Sequence, residues 1–200
     1  MKLTTRRIAF AGILAAAYAA LTIVEGLLFP TLAYGDIQFR FAEAFAVFCC
    51  FTPAAIPGMV IGCFVSNIFN PLGFNAFDAV FGTLATLLAC LTTWFMSRGL
   101  RAEIPKGSRS GETGYPERKL TLRKLLLILL VPLPTILFNT VIIGAELAVF
   151  IRGDMAFWAA YGVFALSVFI GEAAVLYVLG VPLLLWLRKS DRLFHQLRAV

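Results

Sequence analysis

The chain has 200 residues, of which 60% are hydrophobic and only 14% are charged, and its formal net charge is +6. A soluble domain averages roughly 45–50% apolar and about 25% charged residues. The composition therefore excludes a disordered chain, a water-soluble globular domain and a nucleic-acid-binding domain, and it indicates a membrane protein. The length allows about six membrane helices of about 20 residues each.

Six apolar runs follow one another along the chain. They cover about residues 8–28, 40–52, 54–70, 74–97, 122–150 and 155–187. The first run exceeds the apolar core of a signal peptide, about 7–15 residues, and is interpreted as a membrane helix. The sixth is longer than one crossing needs, which predicts a tilt or a bend near Gly180 and Pro182. The sequence thus predicts an all-α polytopic fold with six transmembrane helices in a single integral membrane domain, residues 1–200.

The basic residues predict the orientation of these helices. Fifteen of the seventeen lysines and arginines lie in the N-terminus, in the C-terminus, or in or beside a long polar loop at about 98–121. Only Arg40 and Arg152 lie elsewhere. Six crossings put the three basic segments on one side, and the positive-inside rule makes that side cytoplasmic. We therefore expect both termini and the 98–121 loop to be cytoplasmic.

Several acidic residues interrupt the apolar runs. Glu43, Glu146 and Glu172 are bracketed by apolar neighbours. A charge near the membrane centre costs about 2.5–3.5 kcal/mol on insertion scales, so each is a functional-site candidate. For a single amide such as Asn67 or Asn139, hydrogen bonding between helices is the simpler explanation. The whole set of acidic and amide groups, with few cations, favours a ligand pocket in the outer half of the bundle.

Aromatic residues open the sixth run. Phe157, Trp158 and Tyr161 lie where we expect the outer membrane surface. They fit an aromatic belt at the membrane interface or a stacking platform for a planar ligand, and both interpretations stay open.

Small residues recur every four positions in the first helix, at Ala11, Ala15 and Ala19. Such spacing lets helices approach closely. It fits packing inside the chain or docking of another membrane subunit.

Catalytic groups are sparse. The four cysteines lie in apolar runs without a C-x-x-C pair, and the single histidine, His195, lies in the basic tail. No nucleophile–base pair or metal-ligand spacing is visible, so neither an enzyme nor a metal site is expected. The chain also lacks a P-loop, so any use of ATP requires a partner.

Several stretches together resemble a known family. They are 37–44 (IQFRFAEA), 55–63 (AIPGMVIGC), Asn67, Asp78, 81–89 (FGTLATLLA), 170–172 (IGE) and 180–182 (GVP). In order and spacing they resemble the QueT family, substrate-binding (S) components of energy-coupling-factor (ECF) transporters, and the resemblance covers nearly all of the chain. It implies a six-helix protein of a prokaryotic plasma membrane that captures a queuosine precursor, a 7-deazaguanine, from outside. It also implies partners, a membrane T component and two cytoplasmic ATPases that use the ATP, and no cofactor of its own.

The resemblance also implies residue roles. The loop after the first helix would act as a lid, and small residues on that helix would dock the T component. The lid residues would be Tyr34, Asp36, Gln38 and Arg40, and the docking residues Ala11, Ala15 and Ala19. For the substrate itself, carboxylates would accept N–H donors of the pyrimidine edge, amides would pair with the carbonyl edge and an aromatic would cover the ring. The candidates are Glu43, Asn67, Asp78, Asn139, Glu146, Trp158 and Glu172.

Other functions stay open from the sequence. The chain could be an S component for another vitamin, or a stand-alone secondary transporter that uses its intramembrane acids as proton sites. An intramembrane enzyme or a structural membrane subunit is a further alternative.

Overall fold

The computed structural model describes residues 5–30, 38–70, 76–101, 121–190 and 197. This described part is helical and contains no strand, which confirms the predicted all-α class for these residues. The main elements are α1 (Thr5–Leu28), a 3₁₀ helix (Phe41–Cys50), α2 (Ala55–Ile68), α3 (Ala76–Met96), α4 (Leu122–Phe150) and α5 (Phe157–Lys189).

The two longest elements are interrupted where the sequence contains proline. In α4 the α-helical hydrogen bonding breaks between Leu122–Leu130 and Leu133–Phe150, at Pro132. Proline lacks the backbone N–H that an uninterrupted helix requires. In α5 a π-helical turn, Leu176–Gly180, separates Phe157–Val175 from Val181–Lys189, at the position where the sequence predicted a bend. A single helical turn, Arg98–Arg101, follows α3.

The first three elements alternate in direction. The 3₁₀ helix begins beside the end of α1, where the Phe41 N–H donates to Glu25, and it ends beside the start of α1, where the Phe10 and Phe48 rings are 5.9 Å apart. It therefore runs antiparallel to α1. The next helix, α2, runs parallel to α1, because Gly58 lies against Ala11 and Gly62 lies one turn further along.

The remaining helices continue the alternation. Between α2 and α3, the Asn67 side chain donates to the Asp78 carbonyl oxygen at 2.9 Å. Between α3 and α4, the rings of Phe77 and Phe150 stack with centroids 4.0 Å apart, so the start of α3 meets the end of α4. Gly144 of α4 packs on the α5 backbone near its start, and residues further along α5 contact earlier residues of α4. The six elements thus pass up and down through one bundle.

Four of the six elements, α1, α3, α4 and α5, are long and apolar enough to cross a membrane. The 3₁₀ helix and α2 are apolar but have only 10 and 14 residues. At about 2.0 and 1.5 Å per residue, each spans about 20 Å, less than the ~30 Å hydrocarbon core. The chain is therefore a multi-pass membrane protein, and the count of six crossings with cytoplasmic termini remains a proposal.

Close contact between α1 and α2 places the small residues of α1. A methyl group on Gly62 would lie 2.9 Å from the Ala15 carbonyl oxygen and 2.7 Å from the Tyr18 Cβ atom, so glycine is required for this approach. Ala15 and Ala19 are consequently buried inside the chain, and Ala11 is partly buried. Packing within the chain, one of the two predicted uses of these alanines, accounts for them.

Candidate functional site

A small polar cavity lies at the end of the bundle where α1 ends and α3 begins. Its volume is about 30 Å³, and it is lined by Tyr18, Thr22, Glu25, Phe39, Arg40, Ser66, Asn67, Asn70 and Asp78. The lining residues come from α1, from the segment before the 3₁₀ helix, from α2 and from α3. Four parts of the chain that are distant in sequence therefore converge on one site.

Glu43 lies in the first turn of the 3₁₀ helix and is almost fully buried, with an exposed fraction of 1%. The hydroxyl group of Tyr18 donates a 2.5 Å hydrogen bond to its Oε1 atom. The Oε2 atom has no hydrogen-bond partner. A buried acceptor left without a donor is costly, so this oxygen is available to a ligand.

Glu172 and Asn139 form a second buried pair, between α5 and α4. Asn139 Nδ2 donates to Glu172 Oε1 at 2.8 Å, which leaves Glu172 Oε2 and Asn139 Oδ1 without partners. Asn139 also lies close to Glu43, and Glu43 and Glu172 are within electrostatic range of each other. Three of the predicted substrate-binding residues are thus brought together.

Asn67 and Asp78 line the cavity directly. The Asn67 amide donates to the Asp78 backbone carbonyl, which fixes the end of α2 against the start of α3. Glu146 lies on α4 within electrostatic range of Asp78, and both of its carboxylate oxygens are buried without a hydrogen-bond partner. It is placed beside the site, although it does not line the cavity.

Glu25 and Tyr18 belong to the site although neither was among the predicted substrate-binding residues. Glu25 lines the cavity with an exposed fraction of 4%. Its Oε2 atom accepts a 3.1 Å hydrogen bond from the Phe41 N–H, and its Oε1 atom has no partner. Its sequence signal was the same as that of Glu43, an acid within an apolar run, but it lies near the end of the run, where an acid is less unusual.

The lid segment is described in part. Tyr34 and Asp36 lie outside the described residues, whereas Arg40 lines the cavity. The backbone of Gln38 and Phe39 rests on Gly171 of α5, where a methyl group would overlap the Gln38 carbonyl oxygen and lie 2.6 Å from its carbonyl carbon. Glycine at this position therefore allows the segment to approach α5, and sequence spacing alone gave no indication of this contact.

Trp158 does not line the cavity, and the structure does not bring it together with the other predicted substrate-binding residues, so its role in substrate binding stays a prediction. Its exposed fraction is 78%, and it packs edge-on to Phe157 and Tyr161 at the start of α5. The start of α5 lies about 20 Å along the helix from Glu172, because 14 residues intervene at about 1.5 Å each. The alternative interpretation, an aromatic belt at the membrane interface, fits this exposure.

The docking role predicted for Ala11, Ala15 and Ala19 is also not supported by their placement. The backbone of Ala11 and Ala15 packs on the glycines of α2, and the Ala15 and Ala19 side chains are buried. The adjacent small residues Gly12 and Ala16 are exposed instead, and nothing lies within 4 Å of a methyl group built on Gly12.

Comparison with known proteins identifies the family. The family described as "QueT transporter" matches residues 8–189, which is most of the chain. Comparisons with curated proteins and with solved structures gave no significant match. The bundle of apolar helices around a buried acidic and amide site agrees with a transporter for a small molecule, and the chain belongs to the QueT transporter family.

Proposed function

We propose that this transporter is the substrate-capture (S) component of an ECF importer in a prokaryotic plasma membrane. It binds a queuosine precursor of the 7-deazaguanine type from outside the cell. A membrane T component and two cytoplasmic ATPases complete the importer, and these ATPases, rather than this chain, use ATP. The proposal rests on one observation. Buried acceptor oxygens on α1, the 3₁₀ helix, α4 and α5 have no hydrogen-bond donor.

The unpaired atoms suggest the chemistry of the ligand. They are Glu25 Oε1, Glu43 Oε2, Asn139 Oδ1 and Glu172 Oε2. A ligand rich in N–H donors would satisfy them, and a 7-deazaguanine carries such donors on its pyrimidine edge. A hydrogen bond to a charged group contributes about 1.5–3 kcal/mol, so two or three of them would account for tight binding.

Binding requires the site to expand. The cavity of about 30 Å³ has room only for water-sized molecules. Pockets for small molecules measure about 300–1,000 Å³. We propose that the segment Gln38–Arg40 moves away when the ligand enters.

Docking of the T component is proposed for the exposed face of α1 rather than for the buried one. Gly12, Ala16 and Ala20 recur every four residues and are all exposed. Small residues at this spacing allow close helix packing within a membrane, where packing and hydrogen bonding drive association.

Ligand-dependent thermal stabilisation of the purified protein tests the substrate. A ligand at a thousandfold excess over its Kd stabilises the folded state by about 4 kcal/mol. We expect stabilisation by aminomethyl- or cyano-7-deazaguanine and none by unrelated vitamins. Stabilisation by another vitamin alone would assign the chain to that vitamin, and no stabilisation by any deazaguanine would refute the substrate.

Substitutions at the two buried carboxylates test the site itself. Glu43→Gln and Glu172→Gln keep the side-chain volume but remove the charge that would accept ligand donors. We expect each to weaken deazaguanine binding by about tenfold or more, since a charged hydrogen bond contributes about 1.5–3 kcal/mol. Trp158→Leu, at an exposed position that does not line the cavity, is the control and should bind normally. Normal binding by both glutamine variants would show that the ligand binds elsewhere.

Uptake in cells tests the assembly. An S component imports its ligand only when the T component and the ATPases are also expressed. Uptake that persists without them and collapses with the proton gradient would instead establish a stand-alone secondary transporter.

A further inference from the structure

Glu146 is a buried carboxylate without a hydrogen-bond partner among the described residues. Its exposed fraction is 5%, and both of its carboxylate oxygens are buried and unpaired. Glu25, Glu43 and Glu172 differ from it, because each of them accepts one hydrogen bond and has only one unpaired oxygen. Burying a carboxylate is costly unless it is paired, so this position calls for a bound group that supplies donors.

The packing of α3 on α4 brings Asp78 to the level of Glu146. The two helices meet at the stacked phenylalanine rings and again where a methyl group on Gly82 would lie 3.9 Å from the Ile143 side chain. Asp78 lies between these two contacts on α3, and Glu146 lies between them on α4. Asp78 is four residues before Gly82, and Glu146 is three residues after Ile143 and four before the stacked phenylalanine of α4. Residues at these spacings share a helix face, so each acid lies on the face that meets the other helix.

This acidic pair adjoins the proposed ligand site. Asp78 lines the cavity. On α4, Asn139 is seven residues before Glu146 and therefore lies on the same face, about 10 Å away along the helix. Asn139 contacts Glu172, where we place the ring of the ligand. An elongated ligand held at Asn139 and Glu172 by one end can therefore extend toward Asp78 and Glu146 with the other.

Two facing carboxylates favour a cation over a neutral donor. A neutral N–H group would leave two negative charges close together in an apolar bundle, whereas a positive charge offsets their repulsion. A primary ammonium carries three N–H donors and no acceptor, so it can bond to Glu146 and Asp78 at once. A bound metal ion usually takes about four or more ligands. Among the residues that the structure describes, no group of three or more acidic, histidine or cysteine side chains is placed to hold one.

We propose that Glu146 and Asp78 form a subsite for a primary ammonium group of the ligand, so that the transporter takes the aminomethyl deazaguanine in preference to the cyano one. The assignment rests on the proposed function for the ring system, although the subsite itself can be tested without it. An aminomethyl group is protonated at neutral pH and donates three hydrogen bonds. A nitrile is uncharged, and its nitrogen only accepts hydrogen bonds, so it would face two carboxylates with an acceptor.

The test measures the binding of both deazaguanines to the full-length protein in detergent and to Glu146→Gln. The wild type should bind the aminomethyl compound at least about tenfold more tightly than the cyano compound, since one hydrogen bond to a charged group is enough for that factor. Glu146→Gln should lose this preference by weakening the aminomethyl compound alone. Equal affinities in the wild type, or an equal loss for both compounds in the variant, would overturn the subsite.

Glu172→Gln is the matched control. It makes the same substitution at a carboxylate that we assign to the ring, which both compounds share, so it should weaken both and keep the preference between them. Asp78→Asn is a second variant of the subsite and should act in the same direction as Glu146→Gln. If neither subsite variant folds, the preference of the wild type decides, and a preference for the cyano compound counts against the subsite.

Methylammonium separates the subsite from the identity of the ligand. If neither deazaguanine binds the wild type, the proposed substrate is refuted, and the Tm shift caused by millimolar methylammonium then decides on the subsite. Methylammonium should raise the Tm of the wild type and not that of Glu146→Gln. Tetramethylammonium, a cation without N–H donors, and sodium at the same ionic strength are the controls, and an equal shift with either of them would overturn the subsite. Deazaguanine binding without any preference for the aminomethyl compound would refute the subsite and leave the proposed function intact.

Discussion

Gly171→Ala should open the site without touching any group that would bind the ligand. Gly171 is buried in α5, and the segment Gln38–Phe39 rests on it. The added methyl group would overlap the Gln38 carbonyl oxygen and lie 2.6 Å from the carbonyl carbon. These are backbone atoms, which cannot rotate away as the end of a side chain can.

The size of the effect follows from this contact. Nonbonded carbon atoms pack at about 3.5–4.0 Å, so the segment must withdraw by about 1 Å. Overpacking of this kind costs about 1–3 kcal/mol. The cost applies to the closed arrangement and not to one in which the segment has moved away, so the open population should rise by about 5- to 150-fold. Alanine is also a better helix former than glycine by about 0.8–1.0 kcal/mol, which helps α5 itself to fold.

Cysteine labelling measures the opening directly. Ser66 lines the cavity and is buried, and Ser66→Cys exchanges a hydroxyl for a thiol at that position. The native cysteines are buried, so their background reaction should be slow, and the protein without Ser66→Cys measures it. When closure is faster than the reaction, the labelling rate of a buried thiol follows the open population. We expect labelling in the Gly171→Ala background to be faster by the factor given above.

Gly162→Ala is the matched control for this experiment. It adds the same methyl group to the same helix, at a position where nothing lies within 4 Å. It should gain the same helix propensity and leave the labelling rate unchanged. Equal labelling rates in folded Gly171→Ala and Gly162→Ala protein would refute the inference that contact between Gly171 and the segment Gln38–Phe39 keeps the cavity closed.

Further predictions concern the two faces of α1 and the topology. Ala15→Leu should lower the free energy of unfolding by about 1–3 kcal/mol through overpacking against α2, as thermal melting would reveal; unchanged stability would contradict the packing of these helices. Ala16→Leu, on the exposed face, should preserve stability and ligand binding but reduce uptake in cells that contain the T component, and normal uptake would exclude this face as the docking site. With six crossings, Glu112→Cys should react with a membrane-impermeant thiol reagent only from the cytoplasmic side and Asp154→Cys only from outside; reaction of both from one side would exclude an odd number of crossings between them.

The sequence predicted the helical segments well because hydropathy is a local property. The runs at about 40–52 and 54–70 correspond to the helices Phe41–Cys50 and Ala55–Ile68. The 3₁₀ winding of the first of these could not be predicted, since it depends on hydrogen bonds in the folded protein. The intramembrane acids could also be identified, because an ionisable group within an apolar run is costly wherever the helix packs.

Contacts between helices that are distant along the chain could not be predicted from the sequence. Two stripes of small residues run along α1, one at Ala15 and the other at Ala16, and they look alike in sequence. Only the glycines of α2 decide that Ala15 faces inward. Likewise Trp158 and Glu172 lie on the same helix, but the bundle covers Glu172 and leaves Trp158 exposed.

The sequence by itself predicted an all-helical membrane protein, as the described residues confirm, and its acidic and amide residues favoured a ligand pocket. The tertiary structure decided which of those groups lie close together. Glu25 and Tyr18 line the cavity, Tyr18 contacts Glu43, and Asn139 contacts Glu172. Trp158 does not line the cavity. The physical reason is that burial cost is a property of each residue, whereas convergence depends on how the helices pack. That packing is controlled by close backbone approaches at glycine, which hydropathy does not report.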